Sequence, residues 1–254
     1  MFWLASLAVL VFGLIVGSFL NVVIYRYQTG YTVLGRSGCL LCGQTLRWFE
    51  LIPVLRFVLQ RGRCRTCGGR ISPQYPLVEL LTGLIFLGSF YRAGFTPTPA
   101  LLIDWLIFCL LVIITIYDWR HKIIPDHLVY GFIAVALLAS VVWREAPTAL
   151  LVGLALGAFF ALLWLVSRGR WLGLGDAKLA LGIGLFLGWP AALSAVTLGF
   201  WSGALVGLAL LALKSYNLKS EVPFAPFLVF GVLLVYLFQI DVFTILSSLS
   251  LSAS

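Results

Sequence analysis

A chain of 254 residues would suit one large soluble domain or two small ones. Its composition excludes that: 62% of the residues are hydrophobic and 10% charged, against roughly 45–50% and about 25% in soluble proteins, and the mean hydropathy is +1.08. The chain therefore reads as a polytopic membrane protein. Seventeen Lys and Arg against nine Asp and Glu give a net charge of +8, which in such a protein records topology and does not point to nucleic acid.

Residues 2–24 are almost wholly apolar and end at Arg26. No small-residue cleavage site follows, so they read as a retained helix and not as a signal peptide. Residues 25–76 form the one long polar segment, with eight arginines and four of the five cysteines. Seven apolar stretches follow, at 77–91, 100–117, 127–143, 148–166, 177–189, 191–213 and 224–246. Several approach the roughly 20 residues that cross ~30 Å of hydrocarbon. The stretches at 77–91 and 177–189 are short, so their ends are expected in a protein-lined cavity. Gly188-Trp189-Pro190 predicts a tight turn. The pattern predicts an all-α polytopic fold of eight transmembrane helices, with a small zinc-ribbon-like loop of four cysteines between the first and second. Residues 1–24 are the first helix, 25–76 the loop, and 77–254 a membrane domain of seven further helices.

With eight spans the loops alternate in side, and the cations sort sharply. Arg26, Arg36, Arg47, Arg56, Arg61, Arg63, Arg65, Arg70, Arg120, Lys122, Arg168, Arg170, Lys178, Lys214 and Lys219 share one side, leaving Arg92 and Arg144 on the other. The positive-inside rule then places the cysteine loop in the cytoplasm and both termini outside. Gly153/Gly157 and Gly199/Gly203, spaced i, i+4 inside spans, predict close helix packing. Gly182-Ile183-Gly184 has no strand before it and is no nucleotide fingerprint.

Cys39 and Cys42 form one CxxC knuckle, Cys64 and Cys67 a second, with twenty-one residues between them. Two such knuckles present four thiolates to one tetrahedral ion. A cytoplasmic loop disfavours disulfides, and flanking arginines favour the thiolate. The expected ion is Zn2+ in a closed, structural site. Cys109 stands alone in a span and reads as a core residue.

Ionisable groups at the ends of apolar spans are costly and informative. Asp118 closes the third span and Asp176 opens the sixth, within Gly173-Leu174-Gly175-Asp176-Ala177-Lys178. Both fall at the same membrane boundary. Two carboxyls that converge there share a proton, leaving one acid and one base, the arrangement that activates water in aspartic proteases. Gly173 and Gly175 would let backbone approach an extended substrate, and with Glu79 and Lys178 they are the candidate substrate contacts; Glu79 reads alternatively as a structural partner to an arginine. Asp126 reads as a cap of the fourth span, Asp104 and Asp241 as interfacial, His121 and His127 as loop residues.

Together these residues resemble the bacterial type IV prepilin peptidases, which are membrane aspartic proteases. The matching pieces are Gly17-Ser18-Phe19-Leu20-Asn21-Val22-Val23-Ile24-Tyr25-Arg26, the two knuckles, Tyr75-Pro76-Leu77-Val78-Glu79 with Thr82-Gly83, Asp118 with Ile124-Pro125-Asp126, the segment around Asp176, and Pro223-Phe224-Ala225-Pro226-Phe227. Leu40 stands where the family often has proline, and Ala225 where its usual motif has glycine. The resemblance implies that Asp118 and Asp176 are the catalytic pair and that residues 77–254 are the peptidase domain. It also implies substrates that are prepilins or pseudopilins, an inner-membrane location, and N-methylation of the new amine with S-adenosylmethionine. The residues themselves assign no methyl-donor pocket. A presenilin-like intramembrane protease and an ion-coupled transporter using the aspartates as a relay are the rival readings; the aspartates at one edge and the lack of an internal repeat disfavour the transporter.

Overall fold

A computed structural model describes residues 2–29, 32, 35–143, 146–213 and 222–245. Among the described residues the chain is helical, without a strand: α1 (Phe2–Arg26), a 3₁₀ turn (Trp48–Leu51), α2 (Leu55–Leu59), α3 (Gln74–Arg92), α4 (Pro99–His121), α5 (Asp126–Trp143), α6 (Ala146–Ser167), α7 (Leu174–Leu187), α8 (Ala191–Ala212) and α9 (Ala225–Phe238). The eight long helices fall in order on the eight apolar stretches. In lipid, every backbone N–H and C=O must find its partner within the segment, and a helix does this. Five of them, α1, α4, α5, α6 and α8, are long and apolar enough to cross a membrane, which makes this a multi-pass membrane protein. Arg144, Lys214 and Lys219 of the charge tally, and position 246 at the expected end of the last span, lie outside the described residues.

Two compact units divide the chain, Met1–Ile113 and Ile114–Ser254. In the first, α1 and α3 pack antiparallel along a stripe of small residues. A Cβ at Gly13 would lie 2.8 Å from Gly83 Cα, and one at Gly17 would lie 2.8 Å from Glu79 Cα. One turn further on, Asn21 Nδ2 donates to the Tyr75 carbonyl at 3.1 Å. The other end is closed by aromatics, with Phe86 stacked on Trp105 at 4.6 Å and Phe12 at 5.9 Å from Phe86.

In the second unit, α7 is central, packing on α5, α6, α8 and α9. Leu179, Ala180, Ile183 and Phe186 are fully buried, so a helix of only 14 residues is held on every side. Its glycines set the spacing: a Cβ at Gly184 would lie 2.5 Å from Gly153 Cα, and Gly157 faces Leu181. Gly199 meets Leu228 of α9. The expected i, i+4 glycine packing is thus present in α6 and α8. We predict that Gly184→Val, which forces α6 off α7, costs about 1–3 kcal/mol or more, while Gly207→Val, which meets nothing within 4 Å, is neutral. Thermal unfolding of the two variants in detergent reads the difference. The turn after α7 falls at Gly188, with φ +68°, and at the cis Trp189–Pro190 bond.

Candidate active site

The last turns of α4 carry Asp118 and the first turn of α7 carries Asp176, both in the second unit. They are 5% and 8% exposed, buried as few carboxyls are. Each is held by a backbone donor. The Ala225 N–H, at the first residue of α9, donates to Asp118 Oδ2 at 3.2 Å; α9 can spare it, because the first N–H groups of a helix have no partner within it. The Gly173 N–H donates to Asp176 Oδ2 at 3.0 Å, and the Asp176 N–H donates back to the Gly173 carbonyl at 3.1 Å. Asp176 is thus a capping residue, as a lone helix-start Asp would be. It is also more than that, because both carboxyls line one cavity of about 540 Å³ and lie within electrostatic reach of each other. The wall is completed by Lys122–Ile124 on one side, Gly169–Gly175 on another and Val222–Phe224 on a third.

Gly173, Gly175 and Lys178, expected as substrate contacts, all line this cavity. Gly175 has a packing reason as well: a Cβ there would lie 2.8 Å from Ile124 Cβ. Lys178 is engaged, with Nζ 2.6 Å from Asp126 Oδ1 and 4.8 Å from the centre of the Tyr130 ring. Asp126, read from sequence as a cap, does start α5, but its carboxylate is bonded to this lysine. If Lys178 positions α7 through that pair, Lys178→Ala and Asp126→Ala should lower activity alike, by less than about fivefold for so exposed an ion pair. A charge-exchanged double variant should then recover it. Initial rates of the three variants decide, because a substrate-binding lysine would make Lys178→Ala much the worse.

Glu79 lies in the first unit, where its Oε2 accepts the Val54 N–H at 2.7 Å. That makes it a tether of the polar loop, with Arg56 close enough to interact electrostatically. In the loop the two knuckles repeat one geometry. The Cys39 N–H donates to Gln44 O, and the Cys64 N–H to Gly69 O; the Gly43 and Gly68 N–H groups donate back to Cys39 O and Cys64 O. Gly43 and Gly68 take φ +70° and +69°, the left-handed turn that glycine allows. The result gathers the Sγ atoms of Cys39, Cys42, Cys64 and Cys67 within 4.8 Å of one another, with Cys39 and Cys67 at 3.9 Å. No disulfide joins the described cysteines. A tetrahedron of 2.3 Å Zn–S bonds separates its sulfurs by about 3.8 Å, so the four thiols fit a metal ion such as zinc. The Cys67 and Thr66 N–H groups pull the Cys64 thiol down to about 6. At Cys67 the Gly69 N–H acts the same way, but desolvation and the neighbouring sulfurs outweigh it and push the thiol up to about 11.

Two family models match the chain: the bacterial peptidase A24 N-terminal domain over residues 11–93 and the type IV leader peptidase family over residues 105–208. A relative named prepilin leader peptidase/N-methyltransferase from Aeromonas salmonicida is 31% identical, the match covering 89% of this chain and 88% of the relative. The chain belongs to the type IV leader peptidase family. A relative of the same name from Bacillus subtilis is 34% identical over 90% of this chain and 92% of the relative. One from Myxococcus xanthus is 40% identical over 79% of this chain and spans 62% of that relative's length. No solved structure is significantly similar.

The leader peptidase match encloses both aspartates, and the N-terminal match encloses all four cysteines and Glu79. The second family match ends before Ala225, whose N–H holds Asp118. Because Ala225 contributes its backbone and is itself fully buried, its methyl does not disturb the contact. Sequence reasoning missed that contact, the Lys178–Asp126 pair and the tether at Val54. The first had a readable signal: Pro226 in the first turn marks a helix start, and a helix start offers N–H groups to a carboxylate. Three other readings need correction. His121 ends α4 and His127 lies in the first turn of α5, so neither is a loop residue; Cys109 is half-buried and not a core residue. Asp241 is engaged locally, accepting the Ser194 hydroxyl at 3.2 Å and the Phe243 N–H at 3.0 Å.

Proposed function

We propose that the chain cleaves the short basic leader from type IV prepilins or pseudopilins at the cytoplasmic boundary of the inner membrane, with Asp118 and Asp176 as the catalytic pair, and then N-methylates the new amino terminus. The observation that carries the first activity is the shared cavity: two carboxyls far apart in sequence, each buried, open onto one space at helix ends. One aspartate takes a proton from a water in the cavity and the other, protonated, donates to the scissile carbonyl. Water oxygen bonds to the carbonyl carbon; the C–N bond breaks as the leaving nitrogen takes the proton now held by the first aspartate, and the collapsing diol returns a proton to the second. The Ala225 and Gly173 N–H groups keep the two carboxyls oriented. Gly173 and Gly175 keep side-chain bulk out of the wall, so that an extended leader can approach the backbone there, and Lys178 acts on the site by fixing α7 through Asp126.

In this reading residues 77–254 are the peptidase domain. The loop at 25–76 faces the cytoplasm, and both termini lie outside, as the sorting of cations implies. Cys39, Cys42, Cys64 and Cys67 hold a structural Zn2+, which orders the loop and does no chemistry. S-adenosylmethionine is the methyl donor. The test is direct: membranes containing the protein are incubated with a prepilin, with and without S-adenosylmethionine, and the product is weighed. Loss of the leader in both samples, and a gain of one methyl group only with the donor, are expected. An intact prepilin overturns the peptidase assignment; cleavage without the methyl gain overturns the second activity alone.

A further inference from the structure

Residues 48–59, on the polar loop, are arranged inside out for a segment in water. Trp48 is 78% exposed, Leu55 55%, Val58 62% and Leu59 79%, with Leu51 and Ile52 also exposed. The polar groups point inward: Glu50 is buried, accepting the Arg47 N–H at 2.8 Å and the Gln60 side chain at 3.1 Å. The Val54 N–H is turned back onto Glu79. Contiguous exposed apolar surface of this kind marks an interface with another protein or with lipid.

The helices say which. Glu79 is level with Gly17 of α1, whose Cβ position touches Glu79 Cα. Gly17 lies nine residues before the end of α1 at Arg26, about 13 Å back along the helix. A glutamate side chain and one hydrogen bond span less than that. Val54 is therefore held at the depth of the last turns of a helix that crosses the membrane, where headgroups meet acyl chains. Tyr25 stacked on Tyr75 at 4.9 Å marks the same level, since tyrosines favour that zone. The rim is cationic. Arg47 and Arg61 flank the segment and are exposed, and Arg65 sits 5.9 Å over the Phe49 ring. Residues 25–76 hold eight arginines and one acid, and that acid, Glu50, is the buried one.

We propose that residues 48–59 form an interfacial anchor that lies in an anionic phospholipid leaflet, its apolar side chains at the headgroup–acyl boundary and Arg47, Arg61 and Arg65 on lipid phosphates. The anchor stands on the membrane-spanning reading and not on the peptidase assignment, so the two fail separately.

The full chain in nanodiscs of phosphatidylcholine, alone or mixed with phosphatidylglycerol, tests it. The Trp48 signal is the difference in emission between the wild type and Trp48→Phe, a change at an exposed position. Lipids brominated high on the acyl chain should quench that signal, aqueous acrylamide should not, and the effect should be stronger in the anionic discs. Arg47→Gln, Arg61→Gln and Arg65→Gln should each lower the preference for anionic lipid, by about fivefold. Amide exchange over residues 48–59 of the unaltered protein should be slower in anionic than in neutral discs. Quenching of Trp48 by acrylamide and not by bromolipid overturns the proposal. So does shielding that appears only when two chains share a disc, which would mark contact with a second copy.

Discussion

Asp118→Asn and Asp176→Asn are each expected to abolish leader cleavage, lowering the rate at least about 10³-fold, while the protein remains in the membrane at unchanged abundance. Asparagine keeps the shape of the side chain and an oxygen for the backbone donor, so the hydrogen bonds from Ala225 to Asp118 and from Gly173 to Asp176 survive the change. What is lost is the ability to take and give a proton. Because the two carboxyls act on one water, the double variant should be no slower than either single one. Asp126→Asn is the control: it adjoins the same cavity but serves only to pair with Lys178. Its effect should stay within a few-fold. Cleavage is read as the change in prepilin mass in isolated membranes. Full cleavage by either dyad variant overturns the assignment of that aspartate.

The positions of the long helices were legible because an apolar run in lipid has no other way to satisfy its backbone polar groups, although only α1, α4, α5, α6 and α8 are long and apolar enough to cross a membrane. The ends were less so. Asp118 reads as closing a span at 100–117, yet α4 continues through it to His121, because the turn that follows needs only Lys122 at φ +55°, which composition does not announce. The aspartates stood out since a charge at the edge of an apolar run is rare. Their backbone donors did not, because any residue at a helix start can supply an N–H and only the fold, which brings the start of α9 to Asp118, selects Ala225. The same holds for the glycines. Their spacing in α6 was plain, but that Gly153 meets Gly184 and that Gly157 meets Leu181 depends on how α7 is rotated. Lys178 illustrates the limit most clearly: beside Asp176 in sequence it reads as a substrate contact, and the fold gives it Asp126.

Replacing Cys64 and Cys67 by serine should remove the metal from a protein that otherwise holds about one zinc per chain when purified under reducing conditions. Beyond the sulfurs, the two knuckles meet where the Leu41 side chain lies against Gly69. Apart from the sulfurs, each is closed by its own pair of backbone hydrogen bonds and by an isolated bridge, Gly38 with Thr45 and Arg63 with Arg70. The tips at Leu40 and Leu41 are exposed. An ion that binds four thiolates joins hairpins from either end of a twenty-one-residue connection, and in small zinc modules that binding energy is most of the folding energy. The double serine variant should therefore lose its zinc and become open to limited proteolysis within residues 39–70, while α1 and α3, packed through Gly13, Gly17 and Gly83, stay intact. Metal analysis and the positions of the cuts give the two readouts. A disulfide-stapled loop would behave differently: the unaltered protein would hold no metal, and reduction alone would open it. A metal-free wild type whose loop resists protease under reducing conditions would overturn the zinc site.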